Sequence, residues 1–143
     1  MIAVDTNILV HAHRVESQFH ERAVAQLGSL RDRSWGIPWP CVHEFVAIVT
    51  HPRIFDPPTP LADALGAVED WMRSPTLTML GESPDHWATL AALASAARIT
   101  GPRIHDARVA ALCIDSGVTE LWTADRDFSR FPSLRTVNPL VEA

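Results

Sequence analysis

The stretch Ile2-Ala3-Val4-Asp5-Thr6-Asn7-Ile8-Leu9-Val10 decides how the rest of the chain is read. Three apolar residues ahead of a polar triplet describe a short strand buried on both faces, the pattern of a parallel sheet covered by helices. Asp5 stands where that strand ends. In open α/β sheets ligands bind along the carboxyl edge of the strands, so Asp5 is the first candidate for chemistry. Helix capping by Asp5 and Thr6 is the plain structural alternative.

Outward from this stretch, strands and helices alternate. Ile8 to Val10 open a short helix, and Phe19, Ala23, Leu27 and Leu30 recur at helical spacing over about residues 18–31. Trp35-Gly36-Ile37-Pro38 reads as a second short strand, which the Pro-Trp-Pro run keeps from extending. Pro40 suits the first turn of a helix carrying Val42, Phe45, Val46, Ile48 and Val49, and that helix ends before His51-Pro52. A connector from Pro52 to Pro60 contains four prolines and two apolar residues, Ile54 and Phe55, that read as exposed. The next helix runs to Met72 on a face of Leu61, Leu65, Val68 and Trp71, and Leu77 to Leu80 form a third strand. Ser83-Pro84 reads as a cap and first helical residue for a helix with the buried stripe Trp87, Leu90, Ala91 and Ala94, closed by Gly101-Pro102. A helix over about 104–116, capped by Gly117, precedes a fourth strand at Glu120 to Thr123 and a last one at Arg135 to Val137. This order calls for an α/β fold, one domain over 1–143 with a single parallel sheet and helices on both faces.

Composition agrees and narrows the function classes. At 143 residues, 47% hydrophobic and 20% charged, the chain is one domain with ample core. Cys41 and Cys113 lie in apolar runs and read as buried hydrophobes of a reducing compartment, so a cytoplasmic location is expected. No apolar run approaches the ~18 residues of a membrane span. The net charge of −5 argues at first against a nucleic-acid partner. Setting four of the 17 acids aside as metal ligands, however, leaves one more acid than the 12 bases. Every base is Arg, and the absence of Lys removes any mechanism that needs a lysine amine.

The acids themselves show a pattern of faces. Asp106 shares a helical face with Val109, Ala110 and Cys113, and Glu44 shares one with Cys41, Ala47 and Ile48, so both read as directed to the core side of their helices. Asp125 and Asp127 follow a strand, where turn residues are ordinary. Buried carboxylates need partners. Asp5, Glu44, Asp106 and Asp125 can all converge on the carboxyl rim of one sheet, where they would repel strongly unless neutralised. Mg²⁺ or Mn²⁺ is the economical neutraliser, since hard ions take oxygen ligands and complete their shell with water and substrate phosphate. No Cys or His set offers a softer site. His43 and His105 each precede one of these acids and border the expected pocket without an assigned role, and His11 and His13 read as surface or structural residues.

The ordered set of motifs resembles a family. Asp5-Thr6-Asn7 after the first strand, Glu44 in the third helix, His105-Asp106-Ala107-Arg108 opening a late helix and Thr123-Ala124-Asp125-Arg126-Asp127-Phe128 after the fourth strand look like the acidic motifs of PIN-domain ribonucleases. More narrowly, they are similar to the VapC toxins of bacterial toxin–antitoxin pairs. The resemblance covers nearly the whole chain. It implies a parallel sheet of about five strands and a magnesium-dependent endoribonuclease that is commonly a homodimer and is held inactive by a cognate, VapB-like antitoxin. Carried over residue by residue, it implies Asp5, Glu44, Asp106 and Asp125 as metal-binding acids, Asp127 as an additional acid, and Asn7 and Thr123 as supporting polar residues. The connector with Ile54 and Phe55 is expected to form part of the antitoxin contact.

The chemistry suits these residues independently. Phosphodiester hydrolysis needs a nucleophile at neutral pH and stabilisation of charge growing on oxygen, both of which divalent ions supply. Asp5, Asp106 and Asp125 are expected to hold the principal ion, with Glu44 facing the attacking water or a second ion. Arg103, Arg108, Arg126 and Arg130 flank the acids and are candidates for holding the RNA backbone. Two other classes stay open at this point: phosphoryl transfer through an aspartyl intermediate at Asp5, and a non-catalytic PIN scaffold. The first is weakened by the missing Lys and by Asn7 where such phosphatases want a second Asp.

Overall fold

The computed structural model describes residues 1–142. Five strands, β1 (Ile2–Val4), β2 (Trp35–Pro38), β3 (Leu77–Leu80), β4 (Glu120–Trp122) and β5 (Thr136–Val137), pair in parallel throughout in the order β3-β2-β1-β4-β5. Six helices, α1 (Thr6–His13), α2 (His20–Gly28), α3 (Trp39–Val49), α4 (Leu61–Met72), α5 (His86–Ala96) and α6 (Ile104–Asp115), cover both faces of the sheet. Short 3-10 turns occupy Gly101–Arg103 and Arg126–Arg130.

The order follows from the connections. From β1 the chain steps outward to β2 and β3, then returns past β1 to lay down β4 and β5 on the other side. The reversal falls between β1 and β4, and the crevice it opens at the carboxyl edge is where such sheets bind ligands. β1 is central and fully buried, as its unbroken apolar run requires. Around it Ile8, Leu9, Phe45, Val49, Leu121 and Phe131 have no more than 1% exposure and close one continuous core. Small residues let α6 sit close to the sheet, with Ala107, Ala110, Ala111 and Cys113 fully buried. Met1 lies at the amino edge, its carbonyl accepting hydrogen bonds from the Thr119 backbone N–H at 2.9 Å and hydroxyl at 3.1 Å. The chain start is thus opposite the rim that carries Asp5.

Several elements differ from the sequence expectation for identifiable reasons. Ser83 does not cap α5, because its hydroxyl donates to Asp115 Oδ2 at 3.0 Å; Ser83 to His86 form a turn instead, and the helix starts at His86. Trp87 then points outward, 75% exposed, and of the expected stripe only Leu90 is buried. On α4 the packed face is Ala64, Val68 and Trp71, which leaves Leu61 and Leu65 exposed. α2 ends at Gly28, and Leu30 is buried from the turn beyond it. In the connector Ile54 is exposed, whereas Phe55 is half-buried under the Arg14 guanidinium, 4.3 Å from its ring centre.

Candidate metal centre at the carboxyl edge

β1 ends in extended backbone at Asp5, whose Oδ1 accepts the Thr6 N–H at 2.8 Å and so caps α1. Capping and site geometry are therefore one arrangement. Asp5 Oδ1 also accepts the Cys41 thiol at 3.4 Å, while Oδ2 accepts the Thr123 hydroxyl at 2.7 Å and the Asn7 amide at 3.2 Å. Burial pushes the Asp5 carboxyl above its ordinary value, against the opposing pull of the Thr123, Thr6 and Cys41 hydrogen bonds.

Thr123, the first residue after β4, is a node between the two central strands. Its hydroxyl donates to Asp5 and accepts from Asn7 Nδ2 at 3.1 Å and from the Asp125 N–H at 3.0 Å, using its one donor and both acceptor positions. Asn7 completes the tie by accepting the Ala124 N–H at 3.0 Å. The two polar residues expected to support the pocket thus lock the ends of β1 and β4 together.

Asp106 opens α6, and Asp125 and Asp127 sit on the turn after β4, where Asp125 Oδ1 accepts the Asp127 N–H at 2.8 Å. Each of these three offers an oxygen within 4.8 Å of those of the other two. The Asp106 carboxyl is raised above its ordinary value, first by partial burial and then by the negative charges of Asp125, Asp127, Asp5 and Glu44. Asp127, expected as an additional acid, joins this closest group. Asp5 forms the floor behind it.

Glu44 corrects the reading of its helix. It is exposed rather than core-directed, and its Oε2 accepts the Thr6 hydroxyl at 3.0 Å. Its apolar face-mates Ala47 and Ile48 line an open cleft with it, while Cys41, Val42, Phe45 and Val49 carry the core side of α3. That cleft, about 610 Å³ in volume, is lined by Asp5, Asn7, His43, Glu44, His105, Asp106 and Asp125, with Val109 and Phe128 among its apolar walls. All four acids of the expected set therefore face one space. Of the four arginines only Arg108 lines it; its Nη2 is 3.5 Å from Glu82 Oε1. Arg103 Nη1 is 3.9 Å from Asp127 Oδ1, and Arg126 and Arg130 are exposed on the adjoining turn.

Two contributors escape a reading by composition. Cys41 was expected only as a buried hydrophobe, yet it donates to Asp5; its place in the first turn of α3, directly after β2 and so at the carboxyl edge beside Asp5, is the signal that could have found it. Thr6, expected as a cap, instead aims its hydroxyl at Glu44.

An acidic crevice at the switch point of a short parallel sheet defines a class, and comparison with known proteins agrees with it. Residues 2–134 match the PIN domain family model. The chain belongs to the PIN-domain family. Within that family it is similar to ribonuclease VapC43 of Mycobacterium tuberculosis, at 35% identity over 142 residues covering 98% of this chain and 96% of the relative. It is also similar to ribonuclease VapC48 of the same species, at 28% over 141 residues and 94% of each chain. In fold it resembles the VapBC2 complex of Rickettsia felis bound to a promoter DNA fragment, with a TM-score of 0.71 and 18% identity over 96% of this chain and 98% of that one. It likewise resembles Mycobacterium tuberculosis VapC20, a sarcin–ricin loop cleaving toxin, with a TM-score of 0.68 and 15% identity over 90% and 93%.

Proposed function

We propose that this protein is the ribonuclease toxin of a toxin–antitoxin pair, an endoribonuclease that depends on Mg²⁺, with Mn²⁺ as a substitute, and hydrolyses RNA phosphodiester bonds. The observation that carries the reading is the convergence of Asp106, Asp125 and Asp127 within 4.8 Å of one another over Asp5, with Glu44 on the facing wall of the same cleft. The donor set fits a hard divalent ion: all oxygen and all carboxylate, with the Asp106 carboxyl raised by burial first and by its acidic neighbours second. Asp5, Asp106, Asp125 and Glu44 would hold the ion, with Asp127 as a further ligand oxygen. Divalent-ion chemistry supplies a water nucleophile at neutral pH and neutralises charge growing on the phosphoryl oxygens.

The chain's own residues do the rest. Thr123 and Asn7 fix the Asp5 carboxylate, as outer partners orient ligands elsewhere. Glu44, steadied by Thr6, faces the cleft with a free oxygen that can orient a water molecule and take its proton. Arg108 can hold a backbone phosphate from the α6 side. Attack by Asp5 itself has little support, because the chain has no Lys to hold a transferred phosphate. Because the similar solved structures include VapBC complexes, a cognate VapB-like antitoxin belongs to the reading, with the exposed Ile54 of the connector as part of its seat. A homodimer belongs to it as well.

The test is incubation of antitoxin-free protein with structured RNAs in Mg²⁺, Mn²⁺ or chelator. Cleavage is expected only with metal and should be lost in Asp5→Asn and Asp106→Asn. Cleavage that persists in chelator would sink the reading, and phosphorylation of Asp5 by an acyl phosphate would favour the aspartyl alternative.

A further inference from the structure

We infer that Trp39 and His43 form a platform on which one unpaired base of the RNA stacks at the mouth of the acidic cleft; the inference rests on the ribonuclease reading above. Trp39 is the first residue of α3 and His43 follows one turn later, so both lie on one side of the helix, immediately before Glu44. Their rings face each other at 28° with centroids 6.2 Å apart. His43 lines the cleft, and Trp39 is stacked against His43 from outside that lining. The indole is 40% exposed and stands outside the apolar core, whereas Trp35 and Trp122 are 4% and 5% exposed within it. Its edge rests on the loop after β3, where a Cβ at Gly81 would come 3.6 Å from Trp39 Cδ1. Folding therefore has no evident need of this aromatic pair, which is nonetheless held in place beside the acids.

The electrostatics call for such a device. The cleft is walled by carboxylates, the chain carries a net charge of −5, and Arg108 is the cleft's one arginine. Phosphate attraction alone is thus a weak means of capture here. Aromatic stacking takes up the deficit without a charge, and it selects single strands, loops and bulges, whose bases can splay out, over paired RNA. Trp87 supplies the internal comparison: it is more exposed, at 75%, but stands on α5 and is not stacked on a cleft residue as Trp39 is on His43.

The experiment measures fluorescence anisotropy of a fluorescein-labelled single-stranded RNA of mixed sequence, and of the same RNA annealed to its complement, on Asp106→Asn protein, which does not cut it. Adding Trp39→Ala should weaken single-strand binding about tenfold, as loss of one stacked base does. Trp39→Phe should restore most of that loss, Trp87→Ala should leave affinity unchanged, and duplex binding should not move. In cleavage-competent protein the Trp39→Ala change should appear in KM more than in kcat. Unchanged single-strand affinity in folded Trp39→Ala, or an equal loss in Trp87→Ala, overturns the platform. So does a Trp39→Ala protein that binds RNA normally but antitoxin poorly, which would assign the pair to the protein partner. If the parent cleaves no RNA under any metal condition, the ribonuclease reading fails and takes the platform with it; if it cleaves while Trp39→Ala matches it, the platform alone is lost.

Discussion

Asp106 opposes the stability of its own fold. Its carboxyl is raised from the ordinary 3.8 by burial and by four neighbouring carboxylates, so the folded state holds the proton more tightly than the unfolded chain does. A raised acid destabilises the fold above its folded pKa, and the loss is recovered as pH falls through that value toward 3.8. In chelator, Asp106→Asn should therefore melt above the parent at neutral pH, with the gap closing on acidification. Thermal midpoints of the two proteins across that range check it, and a variant that melts lower at neutral pH would contradict it. The same substitution should abolish cleavage, which separates the stability of the site from its use.

Among the elements, the join between β1 and β4 bears most on the site. Thr123→Val has nearly the same shape but removes the donor to Asp5 and leaves the Asp125 N–H and one Asn7 N–H without their acceptor. A cost of about 1–3 kcal/mol in urea unfolding is expected, with metal affinity down about 10–100-fold by calorimetric titration, while Thr123→Ser should retain most of both. The family resemblance supplied Asn7 and Thr123 as supporting residues, while local pattern supplied the strand ends that they follow. The helix faces were less legible in the sequence. Leu61 and Leu65 fit the helical period of α4 as well as Ala64 does, and only tertiary packing decides that the small residue goes inward. Ser83-Pro84 had the chemistry of a cap, but a distant acid, Asp115, claimed the hydroxyl first.

For the whole molecule, strand order β3-β2-β1-β4-β5 collects residues separated by 120 positions, from Asp5 to Asp125, on one rim. That convergence was readable because Asp5 and Asp125 lay just after strands and Asp106 at the start of the helix that leads into β4. The direction of Glu44 was not, since an apolar cleft wall has the same periodicity as an apolar core. If the acids are joined by an ion, binding should stabilise the native state: Mg²⁺ at a hundredfold excess over its Kd is worth about 2.7 kcal/mol, seen as a rise in Tm that Asp5→Asn abolishes. Cys41 offers a way to watch the same event in time. Its thiol is buried against Asp5 and raised well above its ordinary value, and Cys113 is pushed up to about 12. Neither should react with an alkylating reagent until the floor of the cleft opens, so the rate of Cys41 labelling, read by mass spectrometry of its peptide, counts openings. Labelling should slow when Mg²⁺ is added, and labelling at the speed of a free thiol would show that the floor is not closed. The sulfur that seals Asp5 from the core side thereby serves as a clock for how often the site comes apart.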